Sequence, residues 1–266
     1  MNKTPFLSDK VAIITGASSG IGRAVALEMA RCGARIALAA RRASALQEVA
    51  DGVQAAGGEA LVVPTDVSRR DQVERLVRDT LARWGRVDVL VSNAGLYVRR
   101  PIAELSVEEI EQSLAVNFYG GLYAVLAILP YLLQRHSGHI ILVTSMDGKK
   151  GLPLDAPYVS AKFALTGFGD VLRQELRGSG INVTTVLPGR VDTPMIDDLG
   201  VPWISAKIPP ETVARAIVSV LHRPRPEIIV PWQTKILVYL NTLSPRLGDW
   251  AVRRFRLSGW EKVKRA

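Results

Sequence analysis

The chain is poor in cysteine, in histidine and in acid. Its one cysteine, Cys32, excludes an internal disulfide framework. That thiol falls within a helical pattern, where it packs as a small apolar side chain and is compatible with a reducing compartment. Two of the three histidines, His136 and His139, flank a turn and read as surface residues. No Cys or carboxylate set joins them, so no metal is expected. No stretch reaches the ~20 uninterrupted apolar residues of a spanning helix, and Met1 to Asp9 has no apolar run of the secretory kind. A cytoplasmic location is the expectation. Linkers, repeats and low-complexity tracts are missing too, so 266 residues form one large α/β unit. Acids number 25 against 34 Lys and Arg, a formal net charge of +9. From His222 onward ten Lys/Arg face three acids, so +7 of that excess lies in the last sixth of the chain. Such a tail is either a solvated basic face or a contact for an anionic partner. No nucleic-acid partner is expected.

What is present is apolar and regularly spaced. Hydrophobic residues make up 48%, too many for a disordered chain. The organising stretch runs from Lys10 to Arg23. Val11 to Ile14 reads as a buried strand, Gly16, Gly20 and Gly22 follow, and Ile21 to Cys32 shows helical spacing. Strand, glycine turn and helix in this order bring free backbone N–H groups and a positive dipole end to one point, which suits a pyrophosphate. A tight structural turn would use the same glycines. Ala34 to Ala40 reads as a second strand, followed by Arg41 and Arg42. In dinucleotide folds an acid here holds the ribose 2′-OH, whereas arginine accommodates a 2′-phosphate. Arginine without the acid favours NADP over NAD. Two arginines opening a surface helix would look the same.

The alternation continues. Helices are expected over Ser44 to Ala56 and Arg70 to Trp84, and strands over Glu59 to Pro64 and Val87 to Val91. A long helix follows from Val107 to about Gln134, with an interruption expected at Gly120-Gly121. His139 to Val143 is a strand, Tyr158 to Gly178 a helix, Ile181 to Leu187 a strand, Pro210 to Leu221 a helix, and Glu227 to Val230 a last short strand. The architecture that satisfies this order is a doubly wound parallel sheet, Rossmann-like, with helices on both faces. Residues 1–230 form the dinucleotide-binding unit and 231–266 a helical C-terminal extension.

Thr15-Gly16-x-x-x-Gly20-x-Gly22, Asn93-Ala94-Gly95, Ser145, Tyr158-x-x-x-Lys162 and Pro188-Gly189 together resemble the short-chain dehydrogenase/reductase family. The resemblance spans about Lys10 to Val230, with Ser92 standing where a second Asn is usual. It implies NADP(H)-dependent hydride transfer between a nicotinamide and a carbonyl or secondary alcohol. It implies catalytic roles for Ser145, Tyr158, Lys162 and Asn117, the last holding a water that relays protons to Lys162. It places Gly16, Ser18, Gly20, Ile21 and Gly22 at the pyrophosphate and ribose, and Arg41 with Arg42 at the 2′-phosphate. Asp66 and Val67 would border the adenine, and Asn93, Ala94 and Gly95 the adenosine ribose. Pro188, Gly189 and Thr193 would hold the carboxamide, and Lys162 the nicotinamide ribose. Tyr158 and Lys162, four apart, share one helix face. A nearby ammonium, together with the positive charge of an oxidised nicotinamide ring, is expected to favour tyrosinate. Structural roles for the same side chains remain open. Asn117 in an apolar helix needs a hydrogen-bond partner in any case, and Asp66 could serve a helix start.

Substrate specificity is expected in Leu96 to Glu104, Met146 to Ala156 and Met195 to Pro209. These segments carry apolar Tyr97, Met146, Leu152, Leu154, Met195 and Trp203, with Arg99, Arg100, Lys149 and Lys150 at the margins. A steroid-, lipid- or aromatic-like carbonyl fits, as does a carrier- or CoA-linked 3-oxoacyl group. A non-catalytic dinucleotide-binding regulator is the other class. A homo-oligomer, dimer or tetramer, is expected from the resemblance. The tail mixes Ile236, Leu237, Tyr239, Leu240, Leu243, Leu247, Trp250 and Phe255 with Arg253, Arg254, Arg256, Lys262, Lys264 and Arg265. It reads as helices that either cover the crevice or a subunit interface, or lie at a membrane surface.

Overall fold

The structure, a computed structural model, describes residues 6–261. The basic residues Lys262, Lys264 and Arg265 lie outside that range. In chain order the elements are β1 Val11–Thr15, α1 Gly20–Arg31, β2 Arg35–Ala40, α2 Ala43–Ala55, β3 Glu59–Pro64, α3 Arg70–Trp84 and β4 Val89–Ser92. Then come α4 Val107–Leu114, α5 Gly120–Arg135, β5 Gly138–Val143, α6 Ala156–Glu175, β6 Ile181–Pro188 and β7 Leu199–Gly200. The chain continues through α7 Pro210–His222, β8 Glu227–Val230, α8 Lys235–Leu243, α9 Pro245–Arg254 and β9 Trp260–Glu261.

Seven strands pair in the order β3-β2-β1-β4-β5-β6-β8, every pair parallel. Side chains alternate across each strand, so every strand feeds two cores. Ala12 and Ile14 of β1 join Met29 of α1, Val49 of α2 and Ile217 of α7 on one face. Ile13 joins Leu76 of α3, Ile128 of α5 and Leu165 of α6 on the other. Burial on both faces explains why the strands read as continuous apolar runs. The strand order reverses between β1 and β4. At such a switch point the loops leaving the two C-terminal ends diverge and open a crevice.

The long helix is interrupted, but not where the glycines stand. A π-helical turn covers Ala115–Tyr119, ahead of Gly120, whose N–H donates to the Ala115 carbonyl. Gly120 and Gly121 serve close packing instead. A Cβ on Gly120 would lie 2.7 Å from Val67 Cγ2, and one on Gly121 3.1 Å from Ser92 Oγ. The segment Val107–Arg135 is apolar and long enough to cross a membrane by composition. Here that apolarity serves the core, since Ala124, Val125, Ile128 and Leu132 are wholly buried. His139 also departs from its surface reading. It sits in β5 at 6% exposure, and its Nε2 lies 2.8 Å from Thr184 Oγ1. Burial lowers its pKa to about 4.

The C-terminal extension folds back on the sheet's C-terminal side. Lys150 Nζ meets Asp249 at 2.6 Å, the Arg190 guanidinium donates to the Leu257 carbonyl, and β9 pairs antiparallel with β7.

Candidate active site

The loop after β1 is shaped by close approach. Gly16 adopts φ +66°, and a Cβ there would lie 2.8 Å from Ala94 Cα. Gly22 lies beneath it, where a Cβ would stand 2.3 Å from the Gly16 carbonyl oxygen. Thr15 Oγ1 accepts from the N–H groups of Asn93 (2.9 Å) and Ala94 (3.1 Å), and Asn93 Nδ2 donates to Thr15 O. The exits of β1 and β4 are thereby tied together at the switch point. Ser19, the N-cap of α1, makes no side-chain capping bond, and the first turn holds no acid. The helix presents its open N–H groups and positive end to the crevice, the arrangement that holds a pyrophosphate. Glycine cradle, uncapped helix start and two exposed arginines fit a dinucleotide phosphate.

The crevice is lined by Gly16, Ser18, Gly20, Ile21, Arg41, Arg42, Asp66, Val67, Asn93, Ala94, Gly95, Tyr158, Lys162 and Thr193, all expected from the sequence. Ser19, Ala40, Thr65, Leu96, Gln112, Val116, Val143, Thr144, Pro194 and Met195 complete it. Asp66 makes no helix cap; its Oδ1 accepts from Ser68 N–H and Oγ, ahead of α3. Gly22, Asn117 and Ser145 stand behind this lining. Pro188 and Gly189 end β6 and also lie off it, where Gly189 N–H donates to Val230 O at 2.7 Å.

Ser145 follows β5, and α6 carries Tyr158 and Lys162 past it. Lys162 is 3% exposed, donates from Nζ to Val143 O at 3.1 Å, and sits 5.5 Å from the Tyr158 ring centroid. Burial lowers its pKa to about 8. The groups of the chain itself do not lower the Tyr158 pKa. Burial, and then the nearby Asp147 charge, push it above its ordinary value, with the Ser145 hydrogen bond pulling the other way. Asn117 lies in the π-helical turn at 1% exposure. Its Nδ2 donates to Leu96 O and Ser113 Oγ, and its Oδ1 accepts from Leu96 N–H. Its amide clamps the loop after β4, so a relay water would rest on its backbone carbonyl rather than on its side chain.

The sequence reading missed an ionisable cluster beside these residues. Ser145 Oγ donates to Asp147 Oδ2 at 3.2 Å and accepts from Asp147 N–H at 3.1 Å. Tyr97 packs edge-on against Tyr158, with centroids 5.1 Å apart, and donates to Asp155 Oδ1 at 2.9 Å. Arg99 is no marginal residue. It is 11% exposed, with Nε 3.5 Å from Asp155, and its Nε and Nη1 have no hydrogen-bond partner among the described residues. Arg100 stands outside, Lys149 is half-buried and Lys150 is as buried as Arg99, and each pairs with an acid, Glu109, Glu227 and Asp249 respectively. Local periodicity cannot reveal such a cluster, because Tyr97 and Arg99 lie in the loop after β4 while Asp147 and Asp155 lie in the loop after β5.

Burial, with Asp155 nearby, raises the Asp147 pKa to about 7; burial raises that of Asp155 to about 6. A folded state that keeps a proton the unfolded chain releases loses stability as pH rises between about 4 and about 7. His139 acts oppositely, costing stability as pH falls from about 6.5 toward about 4. Asp147→Asn should therefore gain stability over wild type progressively from pH 5 to pH 7.5, in denaturant midpoints taken without added nucleotide. A difference independent of pH would show that Asp147 is not held protonated by the fold.

Comparison with known proteins places this geometry among relatives. The short chain dehydrogenase family model matches residues 10–201. An uncharacterized oxidoreductase of Bacillus subtilis is 34% identical over 257 residues, covering 93% of this chain and 72% of that protein. A ketoacyl reductase of Nostoc is 33% identical, covering 94% and 90%. The X-ray structure of an alcohol dehydrogenase from the archaeon Thermococcus sibiricus, complexed with 5-hydroxy-NADP, superposes with a TM-score of 0.77 at 33% identity. It covers 83% of this chain and 95% of that one.

Proposed function

The chain belongs to the short-chain dehydrogenase family, and from that premise we propose that it is an NADP-dependent oxidoreductase acting on a carbonyl or secondary alcohol. The observation that carries this reading is the meeting of Tyr158 and Lys162 on the lining of the crevice that α1, Arg41 and Arg42 prepare for a nucleotide, with Ser145 hydrogen-bonded to Tyr158 just behind it. A bound reduced nicotinamide supplies the hydride. Tyr158 gives its phenolic proton to the carbonyl oxygen, a transfer its raised pKa leaves available across neutral pH. Ser145 turns its hydroxyl from Asp147 toward the same oxygen and stabilises the charge that develops there. Lys162 holds the ribose and, while charged, favours the tyrosinate left behind. Asn117 fixes the loop carrying Leu96 and anchors the proton relay through its backbone. Gly16, Ser18, Gly20, Ile21 and Gly22 form the phosphate cradle. Asp66, Val67, Asn93, Ala94 and Gly95 flank the adenosine, and Pro188, Gly189 and Thr193 the carboxamide side. A regulator without catalysis would not need Ser145, Tyr158 and Lys162 in one place.

The substrate is an apolar ketone of the steroid-, lipid- or aromatic-like class. Leu96, Val116 and Met195 form an apolar wall next to Tyr158. A 3-oxoacyl thioester is the second substrate class, favoured by the likeness to the Nostoc ketoacyl reductase. The pairing of Arg100, Lys149 and Lys150 with acids leaves these three cations less to offer an anionic carrier. A panel of apolar ketones and 3-oxoacyl thioesters assayed with NADPH tests the reading. Turnover of neither class would overturn it.

Arg41 and Arg42 are exposed at the end of β2 with no acid beside them. Arg41→Ala should weaken NADPH binding by about 1–3 kcal/mol, the scale of a charge-assisted hydrogen bond, and leave NADH little changed. Equal losses for both nucleotides in a fluorescence titration would show that Arg41 does not read the phosphate. The same reading makes the enzyme a homo-oligomer. Leu126 and Leu133 of α5 and Phe163 and Val171 of α6 stand 40–52% exposed, an apolar face that a second copy would cover. A cytoplasmic location suits the unpaired Cys32.

A further inference from the structure

Helix α8 has no buried residue. Its outward stripe begins just before it at Trp232 (66% exposed) and continues through Ile236 (55%), Tyr239 (64%) and Leu243 (79%). These positions are spaced four, three and four apart, so they lie on one helix face. On α9, Leu247 and Trp250 are exposed while Gly248, Ala251 and Val252 turn inward. A soluble domain rarely shows so many large apolar side chains together unless something covers them. Among the described residues nothing does.

The charges around this stripe say what the cover is. Lys235, Arg246, Arg253, Arg254 and Arg256 are all exposed, and none is within ion-pair distance of an acid among the described residues. From Pro231 to Trp260 the one acid is Asp249, and it is held by Lys150 at 2.6 Å. The cations are interleaved with the apolar residues: Arg246 is four before Trp250, Arg254 seven after Leu247, and Lys235 four before Tyr239. Protein interfaces deplete charge from their apolar centre. A second copy meeting this face across a two-fold axis would set five cations against five. Trp and Tyr beside Lys and Arg are instead the composition of a surface seated at the headgroup level of a bilayer, with rings in the interface and cations on anionic lipid.

We propose that the α8–α9 face is a peripheral membrane-docking surface for bilayers rich in anionic lipid. Docking is independent of the redox chemistry. It brings the extension that β9, Arg190 and Lys150 pin beside the crevice to the bilayer surface, where lipophilic ketones collect.

The full chain is tested by co-sedimentation with vesicles of phosphatidylcholine alone and of phosphatidylcholine with 30 mol% phosphatidylserine. At about 50 mM salt the anionic vesicles should retain the protein at least tenfold better than the neutral ones, and about 0.5 M salt should release most of it, as screening shortens the reach of exposed charge. The triple variant Arg246→Glu, Arg253→Glu, Arg254→Glu should lose binding. So should Ile236→Ser with Leu243→Ser. Both alter exposed residues outside the crevice, and thermal melting checks that each remains folded. Wild-type protein that stays in the supernatant with anionic vesicles at low salt overturns the proposal, as does undiminished binding by the charge-reversed protein. If the wild type ignores vesicles and the Ile236/Leu243 variant instead has a smaller mass in sedimentation velocity, the face joins copies of the chain and membrane docking is rejected.

Discussion

Tyr158→Phe should remove nearly all carbonyl reduction with NADPH and leave nucleotide affinity close to that of wild type. Positioned general acids contribute on the order of 10²–10⁴-fold, and deleting this hydroxyl leaves the substrate oxygen without its proton source. Packing should survive. The Tyr97 ring meets the Tyr158 ring edge-on, and Lys162 lies over its face, contacts that phenylalanine keeps. Lys162 retains its bond to Val143 O, so the ribose side of the crevice is undisturbed. Steady-state kinetics on the best ketone of the panel, with an NADPH titration beside them, decide the matter. Turnover within a few-fold of wild type would show that another group delivers the proton. Asp147, with a carboxyl titrating near 7 and a direct bond to Ser145, would be the first to test.

Gly22→Ala should lower nucleotide affinity by more than about tenfold and destabilise the fold by about 1–3 kcal/mol, the usual cost of forcing an extra carbon into a packed site. The added Cβ would lie 2.3 Å from Gly16 O and 2.7 Å from Asn93 Nδ2. Relief requires moving either the start of α1 or the β4 exit loop, and both shape the phosphate cradle. Gly167→Ala is the control. Gly167 lies within α6, exposed in the single chain with nothing within 4 Å of a built Cβ; it shares a helix face with Phe163 and Val171, so both variants are compared at concentrations where the chain is monomeric. There alanine should stabilise by up to about 1 kcal/mol through helix propensity. The two changes are chemically identical and opposite in expected sign. Melting midpoints of the same sign and size for both would mean that the contact at Gly16 does not govern the loop.

Much of the fold was legible in the sequence because the signals that carry it are local. Continuous apolar runs such as Val11 to Ile14 and Val87 to Val91 marked strands buried on both faces, and helical spacing marked α3 and α7 to within a residue or two. Glycines mark strand exits well when the backbone must turn there, as at Gly16. They mislead when a missing Cβ serves packing, as at Gly120 and Gly121, where the real discontinuity sits in the preceding turn. The phosphate side of the crevice was legible for a related reason. One strand, one turn and one helix start build most of it, and Arg41 and Arg42 end the adjacent strand.

The sequence by itself determined the order of elements, the parallel architecture that order demands, and the shared helix face of Tyr158 and Lys162. Each follows from spacings of a few residues, which backbone geometry converts directly into direction. Only the tertiary structure decided what meets across long separations. His139 is buried in β5, where its ring meets the hydroxyl of Thr184 on the neighbouring β6, 45 residues later. The Asn117 amide is spent because Leu96, 21 residues earlier, offers both its N–H and its carbonyl. The Tyr158 pKa is pushed up because the fold buries the phenol and loops distant in sequence bring Asp147 and Asp155 near it. The apolar residues of the tail were visible from their spacing, but the side they turn to water was fixed by where Lys150, Arg190 and β7 anchor the extension. Spacing sets which residues share a face. Burial and pairing depend on what folds against that face, and no local pattern encodes it.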